Sequence, residues 1–191
     1  MTTFTVNLDP VITLTDEQYY QLCRSNPDLK FERTAEGNLV IMSPTGGETG
    51  NRNGRVTQQL FNWSDRTELG VAFDSSTGFK LPNGADRSPD AAWISLEKWE
   101  VLTPAQQEQF VPLCPDFVVE LLSPSDNLKK AQQKMAEYIA NGTRLGWLLN
   151  RKTRTVEVYR PHQPVETLEQ PIRLSGEDVL PGFELQLSRI W

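Results

Sequence analysis

Helices are predicted first from short amphipathic stretches near the start of the chain. TLTDEQYYQLCRS opens with the capping candidates Thr15 and Asp16 and is followed by NPD, which would end a helix. GGETGNRNGRVTQQLFNWSDRTELG is the second predicted helix, and Gly70 would close it. Its apolar residues at helical spacing are Val56, Leu60 and Trp63.

A third helix is predicted over NLKKAQQKMAEYIANG. Ser125 or Asp126 would cap its start, and Gly142 would stop its end. The residues that would form its buried stripe are Leu128, Ala131, Met135, Tyr138 and Ile139.

Strands are predicted where apolar, aromatic and β-branched residues come in short runs bounded by turn residues. LKFERTAEGNLVIMSP has two such runs around Glu36-Gly37-Asn38, and VAFDSSTGFKLPNGADRSPDAAWIS has two that fold back at PNG. PDFVVELLSPSD is an apolar run broken by Glu120, as expected for a central strand covered on both faces. RLGWLLNRKTRTVEVYRP is a hairpin that turns near residues 150–153, and EDVLPGFELQLSRIW adds a last short strand.

The order of these elements indicates a mixed sheet flanked by helices, and therefore an α/β or α+β fold. No internal repeat, low-complexity tract or linker rich in Gly and Ser interrupts the sequence. With 191 residues and 38% hydrophobic content, the chain is long enough for one domain with a full core. We therefore expect a single domain over residues 1–191, with strand additions at both ends.

Composition narrows the classes of function. No segment approaches the ~20 apolar residues of a spanning helix, and MTTFTVNLDP lacks the features of a signal peptide, so a cytoplasmic protein without membrane contact is expected. The formal charge of -6 argues against a nonspecific nucleic-acid binder but is compatible with a locally basic cleft. Cys23 and Cys114 have no partners at metal-ligand spacing. The single histidine, His162, lies in a polar loop, which argues against histidine-based triads, zinc sites and nucleases.

Two acidic residues stand in predicted strands, where an unpaired charge is costly. Glu120 interrupts FVVELL, and burying an unpaired carboxylate there would cost several kcal/mol. Asp90 follows Pro89 and precedes the apolar run AAWIS. An arginine such as Arg144 or Arg87 would satisfy Glu120 at a sheet edge. Mg²⁺ would satisfy both acids, since it takes one or two carboxylates together with water and phosphate, and such a site hydrolyses phosphodiesters.

The residues around these acids resemble the PD-(D/E)XK nuclease superfamily, and within it the restriction-like endonucleases abundant in photosynthetic bacteria. SPDAAWIS is similar to the half-motif with Pro89 and Asp90, and PDFVVELLSPSD to the strand with the second acid, Glu120. KMAEYIANGTRLGWLLN is similar to the helix and strand that follow. The resemblance runs from LVIMSPTGG to LPGFELQL and implies a restriction-endonuclease-like core in residues 44–191, preceded by a helix and strand extension in residues 1–43.

The lysine of the motif is displaced in this chain. It stands two residues after the second acid in the superfamily, where this chain has Leu122. In the resembling family it lies on the following helix, and Lys134 is the matching residue. Helical geometry permits this, because Lys134 lies roughly 90° from the centre of the buried stripe and its stem can follow the sheet. Tyr138, one turn later, would help to hold it.

The resemblance also implies a ligand set and a division of roles. Asp90, Glu120 and the carbonyl of Leu121 would bind Mg²⁺ or Mn²⁺, and Glu48, at the edge of the second helix's stripe, is a further candidate ligand. The structural alternative for Glu48 is a first-turn acid favoured by the helix dipole. Asp90, Glu120 and Lys134 would be catalytic, with no organic cofactor.

The sequence thus favours a divalent-metal-dependent endonuclease that cuts phosphodiester bonds in DNA, and the family resemblance implies a homodimer. The alternative is a non-catalytic protein that keeps the nuclease fold for binding or assembly. Leu122 in place of the lysine and the acidic net charge favour that alternative. Hydrolysis of another phosphoester is a third hypothesis.

Overall fold

A computed structural model describes residues 3–9 and 11–191 of the chain. Met1, Thr2 and Pro10, which belong to the predicted N-terminal extension, lie outside the described residues. The elements in chain order are β1 (Thr3–Val6), α1 (Asp16–Ser25), β2 (Lys30–Arg33), β3 (Leu39–Met42), α2 (Gly47–Thr67), β4 (Gly70–Asp74), β5 (Phe79–Lys80), β6 (Asp86–Arg87), β7 (Ala91–Ser95), α3 (Leu96–Glu100), α4 (Pro104–Glu108), β8 (Phe117–Leu122), α5 (Leu128–Ala140), β9 (Leu145–Asn150), β10 (Thr155–Tyr159), β11 (Glu166–Glu169), β12 (Arg173–Ser175) and β13 (Glu184–Gln186). The mixed α+β class predicted from the sequence is confirmed.

The central sheet has six strands in the order β11-β10-β9-β8-β7-β4. Strands β8 and β9 run parallel, and the other neighbours in this sheet are antiparallel. Alternate residues of β8 enter two different cores, because successive side chains of a strand point to opposite faces. Val119 and Leu121 pack in the core that α2 covers, whereas Val118 and Leu122 pack in the core that α5 covers. The predicted central strand with both faces covered is therefore confirmed.

The second helix keeps its predicted stripe but ends earlier than predicted. Val56, Leu60 and Trp63 are all buried against the central sheet. The helix stops at Thr67 because Glu68 adopts a left-handed conformation with φ 53°, which ends the helical hydrogen-bond pattern. Gly70, predicted to close the helix, is instead the first residue of β4.

Helix α5, the third predicted helix, is capped by Asn127 and not by the predicted Ser125 or Asp126. Asn127 is the N-cap and its side chain accepts the Lys130 N–H, whereas the Asp126 carboxylate accepts the Ser123 N–H in the preceding turn. Leu128 is 40% exposed and so lies outside the buried stripe. Gly142 follows the helix with φ 111°, a conformation that favours glycine, and this part of the prediction is confirmed.

The segment between α2 and α3 contains four strands where two were predicted. Strands β4 and β7 pair with each other in the central sheet, whereas β5 and β6 belong to the five-stranded antiparallel sheet β1-β3-β2-β6-β5. The PNG turn joins β5 to β6, and β6 pairs with β2 through Arg33 and Asp86. The segment therefore crosses from one sheet to the other and back. This crossing brings Glu32 of β2 to Ser88, in the segment between β6 and β7.

Strands β12 and β13 form a separate two-stranded sheet, so the last strand predicted from the sequence is present. Within the described ranges 3–9 and 11–191, none of the helices combines the length and the apolar character needed to cross a membrane.

Candidate functional site

Asp90 lies at the point where the antiparallel pairing of β7 with β8 ends. The last strand pair is Ala91 with Val119. Beyond this pair, the side chain of Asp90 accepts the next hydrogen bond from β8. Its Oδ2 accepts the Leu121 N–H at 2.8 Å, and its Oδ1 accepts the Asn53 side-chain amide at 2.9 Å. Asp90 is therefore fixed between the end of β8 and helix α2.

Glu120 and Lys134 form an ion pair across the interface of β8 with α5. The Nζ of Lys134 lies 2.7 Å from Glu120 Oε1, and the side chains are 19% and 15% exposed, respectively. The Tyr138 hydroxyl donates to the same oxygen at 3.2 Å, and the Lys134 ammonium lies 5.8 Å from the centroid of the Tyr138 ring. The structure thus brings together the predicted acid, the displaced lysine and the predicted supporting tyrosine.

The arginine alternative for Glu120 is not what the structure shows. Among the contacts of the described residues, Arg144 pairs with Asp178, and Arg87 pairs with Glu32 and Glu137. The cation on Glu120 is Lys134.

A third carboxylate, Glu32 of β2, joins the cluster although the sequence analysis did not single it out. Its Oε1 lies 2.8 Å from Lys134 Nζ and accepts the Ser88 N–H at 3.0 Å. Its Oε2 accepts from Arg87 Nη1 at 3.3 Å. Arg87 in turn donates through Nε to Glu137 at 2.6 Å, which ties β2, β6 and α5 together. The sequence signal for a buried charge here is the pair Glu32-Arg33 in the predicted strand KFER. Successive side chains of a strand point to opposite faces, so one of the two charges faces inward wherever one face is buried.

Glu32 and Glu120 share Lys134, yet their pKa values move in opposite directions. Burial raises the pKa of Glu32, but Lys134 and Arg87 outweigh burial and hold it below its ordinary value. Burial raises the pKa of Glu120 to about 7; Lys134 counteracts this, and the negative charges of Asp90 and Glu32 add to it. The difference arises because, among the ion pairs of the described residues, Glu32 has Arg87 as a second cation whereas Glu120 has Lys134 alone. Of the two glutamates that share Lys134, Glu120 is therefore the one that is short of positive charge.

Asp90 is also short of positive charge. Burial raises its pKa, and the hydrogen bond from Leu121 and the charge of Lys134 offset only part of this rise. Lys30 and Asp126 act on Asp90 with opposite signs. The connected cluster has four carboxylates and two cations, which leaves a formal charge of about -2, the charge that one divalent cation neutralises. The carboxylates are Glu32, Asp90, Glu120 and Glu137, and the cations are Arg87 and Lys134.

Neutral oxygen atoms beside Asp90 fit a hard cation. The amide nitrogen of Asn53 binds Asp90, whereas its Oδ1 is buried and has no hydrogen-bond partner within the described part of the chain. The N–H of Leu121 points to Asp90. The N–H and C=O of a strand residue point to the same edge of the strand, so the Leu121 carbonyl, a predicted ligand, lies on the edge of β8 that Asp90 borders. Within residues 3–9 and 11–191, no group of three or more Asp, Glu, His or Cys side chains is arranged so that it could hold a metal ion. Mg²⁺ is compatible with this, because it takes one or two carboxylates and fills its octahedron with other oxygens.

Glu48, the remaining predicted ligand, is placed elsewhere. Its side chain is 79% exposed in the first turn of α2 and forms an ion pair with Arg52 one turn later. That arginine lowers the pKa of Glu48. The contacts of the described residues thus bring Asn53, and not Glu48, from α2 to Asp90. On a helical projection Asn53 lies about 60° from Val56 and Glu48 about 80°, so Asn53 is the nearer to the buried stripe.

The sequence and the fold each have a counterpart among known proteins. The model of a family named Uma2 and described as "Putative restriction endonuclease" matches residues 16–188. The structure is similar to that of "a putative nuclease belonging to DUF820" from Anabaena variabilis, with a TM-score of 0.76, 19% sequence identity, and coverage of 93% of this chain and 97% of that chain. At this identity the likeness shows the fold. No curated protein gives a significant match to the sequence.

Proposed function

The chain belongs to the Uma2 family, described as "Putative restriction endonuclease", and from this premise we propose that it is a divalent-metal-dependent endonuclease that hydrolyses phosphodiester bonds in DNA. One observation carries the proposal. Asp90 and Glu120 lie at neighbouring strand positions with raised pKa values, beside a single shared lysine. Such a deficit of positive charge at two buried carboxylates favours uptake of Mg²⁺ or Mn²⁺.

In this proposal Asp90, Glu120 and the Leu121 carbonyl would hold the metal ion, and Asn53 would support it through its hydrogen bond to Asp90 and through its own side-chain oxygen. A bound divalent ion would withdraw charge from the phosphate and acidify a water molecule. Glu48 is left out of the ligand set, because its carboxylate is exposed and paired with Arg52.

Lys134 acts as a charged donor in the proposed reaction. Burial lowers its pKa, but Glu120 and Glu32 outweigh burial and raise it, so the amine stays protonated at neutral pH. A protonated amine cannot take a proton from water, but it orients the attacking water and neutralises negative charge that develops on the phosphate. Tyr138 keeps its proton as well, since burial and the two nearby glutamates raise its pKa, and it holds Glu120 by donating to Oε1.

The N-terminal segment is part of the proposed active unit. Strand β2 pairs with β6 and supplies Glu32, which contacts Lys134 directly. This supports one domain over residues 1–191, in which the extension 1–43 completes the site instead of standing apart. We also include a homodimer in the proposal, in which each subunit cuts one strand, and its mass in solution tests that part.

The central experiment is nicking of supercoiled plasmid DNA by the purified protein. With Mg²⁺ or Mn²⁺ the unsubstituted protein should nick the plasmid, and Asp90→Asn and Glu120→Gln should remove this activity. Asp65→Asn, an exposed position on α2, is the matched control and should cut normally. Thermal unfolding verifies that each variant is folded.

Two outcomes would contradict the proposal. Nicking that survives Asp90→Asn would show that the reaction does not use this carboxylate. A folded protein that neither nicks DNA nor takes up Mn²⁺ in a calorimetric titration would support the non-catalytic alternative, a nuclease-fold protein for binding or assembly.

A further inference from the structure

Two arginines meet beside the start of α2. Arg52 lies in the second turn of the helix, and Arg151 directly follows β9. Arg151 Nη1 approaches Thr49 Oγ1, in the first turn of the same helix, at 3.4 Å. Arg52 pairs with Glu48, the residue before Thr49, so the two positive charges lie close together. In agreement with this, partial burial and the positive charge of Arg52 lower the pKa of Arg151. Like charges held together on a protein surface need a counter-charge to be stable.

The counter-charge in the chain is incomplete. Glu48 pairs with Nη1 of Arg52 from the exposed side. The Nε atoms of both Arg52 and Arg151 are nevertheless buried, with no hydrogen-bond partner among the residues that the structure describes. Buried donors of native proteins almost always have an acceptor, and these two guanidinium groups lack the acceptor that an anion would supply.

The surrounding backbone is also suited to an anion. Helix α2 has 21 residues, and its N-cap, Gly46, supplies no side-chain hydrogen bond to the free N–H groups of the first turn. A Cβ added at Gly46 or Gly47 would meet no heavy atom within 4 Å, so there is room beside this end of the helix. The helix terminus adds donors to those of the arginines.

The arginine pair adjoins the proposed metal site. Arg52 directly precedes Asn53, which binds Asp90, and Arg151 directly follows Asn150, which pairs with Leu122 at the end of β8. Each arginine is therefore one residue away from a position that borders the proposed metal site.

We propose that Arg52 and Arg151, with Thr49 and the first turn of α2, form a binding site for a backbone phosphate of the nucleic-acid substrate, next to the phosphate that is cut. The site rests on the proposed function for the identity of its ligand. Its planar guanidinium groups suit the non-bridging oxygens of a phosphodiester. It reads no base sequence, and it fixes the position of the strand on the protein.

The test is binding of a short fluorescent DNA duplex in EDTA, where no cleavage takes place. Arg52→Gln and Arg151→Gln should each weaken binding roughly tenfold and reduce the slope of log K against log salt by about 1. The double variant should lose less than the product of the two single effects, because both side chains bind one phosphate. Arg151→Lys keeps the charge and should restore the salt slope while regaining only part of the affinity.

Arg66→Gln is the matched control, because it makes the same change on the exposed last turn of α2, about 20 Å along the helix. This variant should bind DNA as the unsubstituted protein does. The phosphate site is overturned if the double variant binds as well as Arg66→Gln, or if the unsubstituted protein binds no duplex. An RNA duplex of the same sequence is measured alongside, and binding of either backbone that depends on both arginines supports the site.

Uptake of Mn²⁺ without DNA separates this proposal from the nuclease proposal. The double variant should take up Mn²⁺ normally, whereas Asp90→Asn should not. Loss of DNA binding with intact metal uptake in the double variant supports the phosphate site. Arginine-dependent binding in a protein that takes up no metal would overturn the nuclease proposal alone.

Discussion

The ammonium of Lys134 lies 2.7 Å from Oε1 of Glu120, although the two residues belong to different elements and the motif position for the lysine on β8 is occupied by Leu122. The same nitrogen lies 2.8 Å from Oε1 of Glu32. One side chain from α5 therefore links the central sheet to the five-stranded sheet. Its position gives Lys134 a structural role in addition to the catalytic one that we propose.

We expect Lys134→Met to destabilise the protein by about 3–5 kcal/mol, because the buried charge of Glu32 would lose one of its two cations and Glu120 would lose the cation that favours its ionised form. Lys130→Met, on the exposed face of the same helix, should change the free energy of unfolding by less than about 0.5 kcal/mol. Urea unfolding of both variants measures the difference. Equal stability of the two variants would show that Lys134 does not hold the cluster together.

Much of the fold could be predicted from the sequence, because its long helices and strands have regular patterns of apolar residues. Helix α2 and strand β8 were found from those patterns, and both are buried as predicted. The segment 71–95 was predicted as two strands and has four. Strands β5 and β6 have two residues each, too few for a periodic pattern, and their pairing partner β2 is distant in sequence.

The candidate site could be predicted from the sequence only in part. Asp90 and Glu120 stood out because charges are rare inside apolar runs, and the family resemblance identified Lys134. Glu32 was missed because it reaches the site through pairing between distant strands. Asn53 was missed because an amide on a helix carries no charge to mark it, and only the helical projection could have favoured it over Glu48.

We expect the stability of the protein to depend on Glu120 near neutral pH. The pKa of Glu120 in the folded state, about 7, lies above its ordinary value of 4.5, so the folded state binds this proton more tightly than the unfolded state does. The resulting stabilisation is fully present below pH 4.5 and is lost as the pH rises to about 7. Relative to Glu120→Gln, which cannot ionise, the unsubstituted protein should lose on the order of 2 kcal/mol across this window. Denaturant unfolding between these pH values measures it, and parallel pH profiles would contradict it.

Mg²⁺ should reverse this loss, because a bound cation stabilises the ionised carboxylate. With saturating Mg²⁺ the unsubstituted protein should no longer lose stability between pH 4.5 and about 7, so the stabilisation by Mg²⁺ should be largest at and above pH 7. Glu120→Gln should gain little from Mg²⁺ at any of these pH values. A Mg²⁺ effect of equal size in both proteins would place the ion elsewhere.

Asn53 should matter for metal affinity although it carries no charge. Its side-chain amide donates to Asp90 at 2.9 Å, and its Oδ1 is buried with no hydrogen-bond partner among the described residues. Loss of groups that orient metal ligands weakens metal binding, so Asn53→Ala should weaken Mn²⁺ binding about 10- to 100-fold. Asn51→Ala, two residues away on the exposed side of α2, makes the same chemical change without touching Asp90. Calorimetric titration of both variants gives the comparison. Similar Mn²⁺ affinities would mean that Asn53 does not support the ligand.

Glu48 has two candidate roles, metal ligand and ion-pair partner of Arg52, and they predict opposite results for Glu48→Gln. As a metal ligand, it would be required for Mn²⁺ uptake, and Glu48→Gln would weaken that uptake. The structure instead pairs its exposed carboxylate with Arg52, where it places a negative charge beside the proposed phosphate site. We therefore expect Glu48→Gln to leave Mn²⁺ affinity unchanged and to tighten DNA binding in EDTA, roughly two- to fivefold for one surface charge. Weaker metal uptake with unchanged DNA binding would restore Glu48 to the ligand set and count against the arginine site.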